Sequence, residues 1–394
     1  MRSVLKEYRQ LIRLVKPRTV VAPLKNCIKS ATSEARPAAV PQAVFALSIH
    51  NVFVNPVDVQ VMNFPKTLAA QWRGKRFNSF NSALREVFDA RVYKIGLRLD
   101  FTCPNRDGKV AVGGCIYCNN ASHTPQEYRP RQSVTAQLEQ GAVALRKRHK
   151  AEKFIAYFQS YTNTYESTAK LEKLYREALD FPGVVGISIA TRPDCLPEST
   201  LDLLCDLAEQ TYLWLELGLE SMYDRTLAWV NRGHGLAEFV ETVSRAKNRD
   251  LRVCTHLILG FPGESAADIL NTPALLNRLA VDGVKLHNLH VIKYTALAKL
   301  YEKEPFPLFT RTEYVSLVVD FLELLNPDIV VHRLTGETYR AITLAPEWSI
   351  DKIGVHNDIY RSLIDRNTWQ GRLYENSVNA ASAGKFLNPE GARL

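Results

Sequence analysis

Three of the chain's seven cysteines fall within the stretch CPNRDGKVAVGGCIYC, Cys103 to Cys118. Cys115 and Cys118 make a tight Cys-x2-Cys pair, and Cys103 precedes Cys115 across eleven intervening residues. Soft thiolates at such spacing suit Zn²⁺ or an iron–sulfur cluster. Structural zinc closes its shell with a fourth ligand, and His123 could supply it as Cys₃His. A fully ligated 4Fe–4S cluster would want a fourth thiolate. Taken alone, the spacing reads as a metal loop and does not choose the metal; buried, unliganded thiols are the simpler alternative. Cys195, Cys205 and Cys254 sit in apolar helix or strand context and read as inert buried thiols.

These side chains need a scaffold. VYKIGLRLDF sets Tyr93, Ile95, Leu97, Leu99 and Phe101 at period two, a strand with one strongly apolar face. SVTAQLEQGAVALRKRHK reads as an amphipathic helix ending in bases, as the helix dipole prefers. The apolar runs KFIAYFQS, VVGISIAT, YLWLELGLE, RVCTHLILG and GVKLHNLHV fit buried strands. Helices are expected between them near 166–180, 197–210, 224–249 and 265–280. Pro273 should kink or break the last of these. Six strand–helix units predict an α/β fold, an open, partial (β/α)6 barrel over residues 62–304. Residues 305–394 form a small α/β extension with a strand around DIVVHRL.

In parallel (β/α) folds chemistry gathers at the C-terminal ends of the strands. Here those ends offer the cysteine loop, Gln159, the TRPD stretch from Thr191, Glu216 and Glu220, the turn GFPGE, and KLHNLHVIK. The last carries Lys285, His287, His290 and Lys293. Polar groups in apolar runs are costly unless paired or used, so this ring reads as a site. Glu216 is open between ion partner and cofactor ligand. His287, His290 and Lys293 are the candidates on the substrate side, and His332–Arg333 is a further one.

At 46% apolar and 23% charged residues the composition is globular. No apolar run reaches the roughly 18–20 residues that span a bilayer, so no membrane partner is expected. An odd cysteine count argues against a disulfide scaffold and for a reducing compartment. Of the net charge of +9, residues 1–61 carry +6, from nine Lys/Arg against three acids. The body is therefore close to balanced, and its charge alone does not name nucleic acid as a partner. The basic, acid-poor extension fits an over-long start ahead of Met62, a transit peptide or a docking arm. A cytoplasmic location is expected, organellar only in the transit-peptide case.

The position of the cysteine loop, after the first strand of a partial barrel, narrows its chemistry. Three thiolates leave one iron of a 4Fe–4S cluster open, and an open iron can chelate the methionine end of S-adenosylmethionine (SAM). The stretches FTCPNRDGKVAVGGCIYC, AYFQSYTNTY, TRPDCLPE, LWLELGLESMYDRTLAWVNRGH, HLILGFPGE, VKLHNLHVIK and VHRLTGE resemble radical SAM proteins of the YtqA/YhcC type. That group is related to the radical SAM half of elongator-type tRNA-modifying enzymes. The resemblance implies that Cys103, Cys115 and Cys118 ligate the cluster and that Tyr117 lies against the adenine. It implies SAM contacts from Gln159, Arg192, Glu216, Glu220, Arg232 and His256, with Arg192 as a bidentate partner for the SAM carboxylate. Glu220 and His256 depart from the Gln and Asp of related coproporphyrinogen oxidases.

The chemistry so implied is one-electron cleavage of SAM to a 5′-deoxyadenosyl radical, fed by a low-potential donor of flavodoxin or ferredoxin type. The resemblance suggests tRNA as substrate, at the wobble-uridine C5 side chain. Lys285, Lys293, Arg129, Arg131 and the bases at 146–150 are compatible with phosphate contacts. The rival readings are a radical SAM enzyme on a small metabolite or cofactor precursor, and a zinc-binding RNA module without redox chemistry.

Overall fold

The computed structural model describes residues 64–99, 101–119 and 132–375. The expectations for residues 1–61, His123, Arg129 and Arg131 lie outside them.

The apolar runs form six strands: β1 (Val92–Leu97), β2 (Lys153–Phe158), β3 (Val184–Thr191), β4 (Tyr212–Glu220), β5 (Val253–Leu259) and β6 (Gly283–Asn288). All neighbours pair in parallel, in chain order. Helices cross over between them and bury one face of the curled sheet; Leu97, Phe158, Ile189, Leu217 and Leu259 lie in this core. Each such side chain contributes roughly 1.5–3 kcal/mol by leaving water. Local caps fix the helix starts. Ser133 Oγ, for example, accepts the Ala136 N–H ahead of helix Val134–His149, which ends on Arg146, Lys147, Arg148 and His149. No helix among the described residues is long and apolar enough to cross a membrane.

Three features depart from the expected outline, and a fourth follows it. First, the strand expected in DIVVHRL does not stay in the extension. As β8 (Val330–Arg333) it pairs in parallel with β6 and makes the sheet seven-stranded. Its ladder bulges where Val284 pairs with Val331 but Lys285 with Arg333, leaving His332 as the extra residue. Second, β6 stops at Asn288, and β7 (Val291–Ile292) leaves to pair antiparallel with β9 (Thr343–Ala345). His290 therefore lies in the short link between β6 and β7 and Lys293 beyond β7, not on one strand end.

Third, the helix expected over 224–249 is two helices, Asp224–Trp229 and Leu236–Lys247. The break is NRGHG, where Asn231 and Gly233 take positive φ, which a helix cannot continue. Fourth, the segment near 265–280 breaks into Ala266–Ile269 and Thr272–Arg278, with Pro273 in the first turn of the second piece. Proline is tolerated there because its missing N–H would be unpaired anyway.

Candidate active site

The strand ends open onto one cavity of about 220 Å³. Cys103, Cys115, Tyr117, Cys118, Gln159, Arg192, Glu216, Glu220, Arg232, His256, His287 and His290 all line it, and so does Lys285. Lys293 does not. Its Nζ donates to Ala341 O at 3.1 Å, and its own carbonyl accepts from Asn119 next to Cys118.

The cysteine loop is folded by its own backbone. Arg106 N–H donates to Cys103 O at 2.8 Å and Cys118 N–H to Cys115 O at 2.9 Å. The NRGHG break then docks on the loop: Ile116 N–H donates to Val230 O, Asn231 Nδ2 to Gly114 O, and Asn105 Nδ2 to Asn231 O. This docking presents two donors to the buried Cys115 sulfur, Asn105 Nδ2 at 3.5 Å and Arg232 Nη1 at 3.7 Å. Burial, with Cys115 beside it, pushes the Cys118 thiol up to about 11. Ligation would replace that proton. Among the described residues no three His, Cys, Asp or Glu side chains are grouped to hold a single metal ion.

Around the thiols the charges interlock. Arg232 Nη2 donates to Gly218 O at 2.9 Å and lies 3.3 Å from Glu220, while its Nε donates to His234 Nε2 at 2.9 Å. Burial raises the Glu220 carboxyl even though Arg232 and Arg192 pull it down. Glu220 also ends its strand with φ 67°, a strained setting for a side chain with a Cβ. Arg192 is almost fully buried and grips Asp194 bidentately at 2.8 and 2.7 Å, with Nη1 on Arg232 O. The edge that sequence reasoning assigned to a SAM carboxylate therefore faces Asp194.

The floor of the cavity is built on Glu216, which has no exposed surface. Its Oε1 accepts from Lys94 Nζ at 2.6 Å and from Ser188; its Oε2 meets His256 Nε2 at 2.7 Å and Lys285 Nζ. Burial opposes its ionisation, yet Lys285, Lys94 and His256 outweigh burial and hold the carboxyl well below the usual range. Both oxygens are engaged, as an ion partner's would be. Lys285 is buried too, on Glu216 and on Tyr157 Oη at 2.8 Å, so it is not a phosphate contact. Burial also lowers His256, to about 4. Lys94 and Tyr157 escaped the sequence reading. The signal for Lys94 was a charge inside an otherwise apolar strand, which has to find a partner.

On the opposite side, Arg333 Nη1 donates to His287 Nε2 at 2.8 Å. Asn288, also missed, accepts Thr335 Oγ1 at 3.0 Å and Gly336 N–H at 3.1 Å. Gly336 is glycine for space: a Cβ would come within 2.8 Å of both His287 and His290. His332 does not reach the cavity; it stacks on Phe80 and abuts Trp214.

A curled parallel sheet with three thiols at its C-terminal mouth defines the class, and comparison with known proteins agrees. The family model described as the Radical SAM superfamily matches residues 106–276, and the Radical_SAM C-terminal domain matches 281–365. The chain belongs to the radical SAM superfamily, in the group of YtqA and YhcC. It is 38% identical over 301 residues to YtqA of Bacillus subtilis (76% of this chain, 94% of that protein). It is 38% identical over 275 residues to YhcC of Escherichia coli K12 (70% and 88%). Elongator complex protein 3 of Schizosaccharomyces pombe is 30% identical over 153 residues, 38% of this chain and 28% of that protein.

Among solved structures, the archaeal Methanocaldococcus infernus Elp3 with its N-terminus deleted shares the fold. Its TM-score is 0.54 at 17% identity, covering 72% of this chain and 67% of that one. The chain is thus a radical SAM enzyme with a 4Fe–4S cluster and SAM as cofactors. The residues fit that pair: three thiols share one cavity, donors face Cys115, and the Tyr117 hydroxyl is buried there without a partner.

Proposed function

We propose that this chain modifies the C5 side chain of a tRNA wobble uridine. When bound, the cluster and SAM supply a 5′-deoxyadenosyl radical that removes a hydrogen atom from the substrate. In this reading Cys103, Cys115 and Cys118 hold the cluster, and Asn105 and Arg232 steady Cys115. Tyr117 covers the nucleoside end of SAM, and Gln159 faces its methionine end. Glu220 and Arg232 act as a hydrogen-bonded pair beside SAM. Glu216, through Lys285 and His256, holds the floor rigid instead of touching SAM. A flavodoxin- or ferredoxin-type protein delivers the electron.

One observation carries the tRNA reading beyond resemblance. Next to the mouth, the two-stranded β7–β9 ribbon displays Tyr294, 89% exposed and held at φ 68°, with Lys293, Tyr339 and Arg340 around the same ribbon. Exposed tyrosines among bases suit unpaired nucleotides, which stack on aromatic rings while phosphates meet cations. Mass spectrometry of tRNA nucleosides from a strain lacking the gene tests this. Accumulation of one wobble-uridine precursor is expected, and an unchanged nucleoside profile would overturn the proposal. A small-metabolite substrate is the second reading, and the modest cavity volume favours it.

A further inference from the structure

β8 enters the sheet with an irregular ladder, and the irregularity has a consequence for the cavity. Along a regular strand His332 and Arg333 would point to opposite faces. The bulge at Val284/Lys285 removes that alternation. His332 lies inside, against Phe80 and 3.8 Å from Glu216, while Arg333 still lines the cavity. Among the described residues no carboxylate pairs with Arg333. Glu216 is taken by Lys94 and Lys285, and Glu337 by Lys352 at 2.6 Å. Its hydrogen bond is to a neutral acceptor, His287 Nε2, and the carboxylate that acts on it from a distance, Glu337, is held by Lys352.

Beside it is a second unspent donor. Asn288 is 4% exposed and lines the same cavity. Gly336 N–H can only donate, so the oxygen of the Asn288 amide must face it. Its Nδ2 then points the other way, buried and with no partner. A buried amide donor left unpaired costs free energy that a ligand oxygen would recover.

We propose that Arg333 and Asn288 form a subsite for an anionic oxygen group of the substrate, a carboxylate or a phosphate. The proposal rests on the cavity being the active site. It adds that the substrate's reacting end enters with its anion against β6 and β8, across from the cysteines. Gly336 keeps His287 and His290 close enough to wall this subsite.

The test is calorimetric titration of the full-length, anaerobically purified, cluster-loaded protein with inorganic phosphate and with acetate, at fixed ionic strength in chloride. SAM is titrated in parallel. Saturable binding of one or both anions is expected, and the preference separates phosphate from carboxylate. Arg333→Gln should weaken it by about tenfold or more, Asn288→Asp should do the same, and Arg333→Lys should weaken it less. SAM affinity should stay the same in all three.

The proposal fails if neither anion binds the wild type above the chloride background, or if Arg333→Gln and Asn288→Asp bind anions like the wild type. It also fails if SAM and anion affinity fall together, since the occupant would then be SAM's own carboxylate. Iron content and SAM cleavage, measured on the same samples, report separately on the radical SAM reading.

Discussion

The two walls of the cavity treat charge differently. On the cysteine side and the floor almost every charged group is answered within the protein: Arg192 by Asp194, Arg232 by Glu220 and the Cys115 sulfur, and on the floor Glu216 by Lys94 and Lys285. On the β6–β8 side Arg333 and Asn288 keep donors unspent. A wall whose ions are mutually satisfied is preorganised and holds a fixed cofactor in one pose. A wall with unpaired donors is incomplete until a ligand arrives. Under the proposed reading the first wall serves the cofactors and the second the substrate, and that contrast can be broken at several points.

The largest effect should follow from removing the thiols. Cys103→Ala, Cys115→Ala or Cys118→Ala should abolish cluster loading and SAM cleavage, whereas Cys195→Ala and Cys205→Ala should retain both. Iron and sulfide analysis, with 5′-deoxyadenosine formation under dithionite, reads the outcome. Tightly bound zinc without iron in the anaerobic wild type would overturn the assignment.

Next is the floor. Glu216→Gln leaves the buried Lys285 and the half-buried Lys94 without their counter-ion, and breaking a buried pair costs about 3–5 kcal/mol. Urea unfolding should show that loss. Glu216→Gln combined with Lys285→Met should regain part of it, because the stranded charge is gone. If the double variant is as stable as the wild type but no longer binds SAM, Glu216 is a direct ligand after all.

Gly218 sharpens the comparison on a smaller scale. A Cβ there would lie 2.5 Å from Arg232 Nη2 and 2.6 Å from Glu220 Oε1. Gly218→Ala should push that pair aside and weaken SAM binding by roughly tenfold, since overpacking costs about 1–3 kcal/mol. Cluster loading should survive. Unchanged SAM affinity would detach Glu220 and Arg232 from the cofactor wall.

How far the sequence revealed each wall follows from distance along the chain. The thiols lie in one loop, so spacing alone exposed them, and the long apolar runs exposed the six strands they serve. Arg333 was harder. It reaches the cavity only because a four-residue strand from the extension pairs with β6 and bulges, and both depend on partners about 45 residues away. Asn288 was invisible because its role is set by Gly336 and Thr335, again distant. Glu216 was seen, but its two possible roles differ only in what its oxygens touch, which packing decides. Lys285 looked like a free base in sequence and is instead buried in an ion pair with Glu216.

The smallest effect concerns pH on the cofactor wall. His234 is buried, and Arg232 Nε donates to its Nε2, so that nitrogen must stay unprotonated. Burial first, then Arg232 and Arg192, lower it from 6.5 to about 3. Below pH 6.5 the unfolded chain therefore binds a proton that the folded chain refuses. The stabilisation is complete above 6.5 and drains as pH falls toward 3. The slope from this one group cannot exceed about 1.4 kcal/mol per pH unit. His234→Gln keeps an acceptor for Arg232 but has no proton to gain, so its stability should fall less steeply between pH 6.5 and 5. Urea midpoints at pH 7.5, 6.5 and 5.5 measure both slopes, and acid loss of the cluster, common to both proteins, cancels in their difference. Parallel slopes would mean that His234 carries a proton in the folded state, and the interlocked charge of the cofactor wall would then need a different accounting around Arg232.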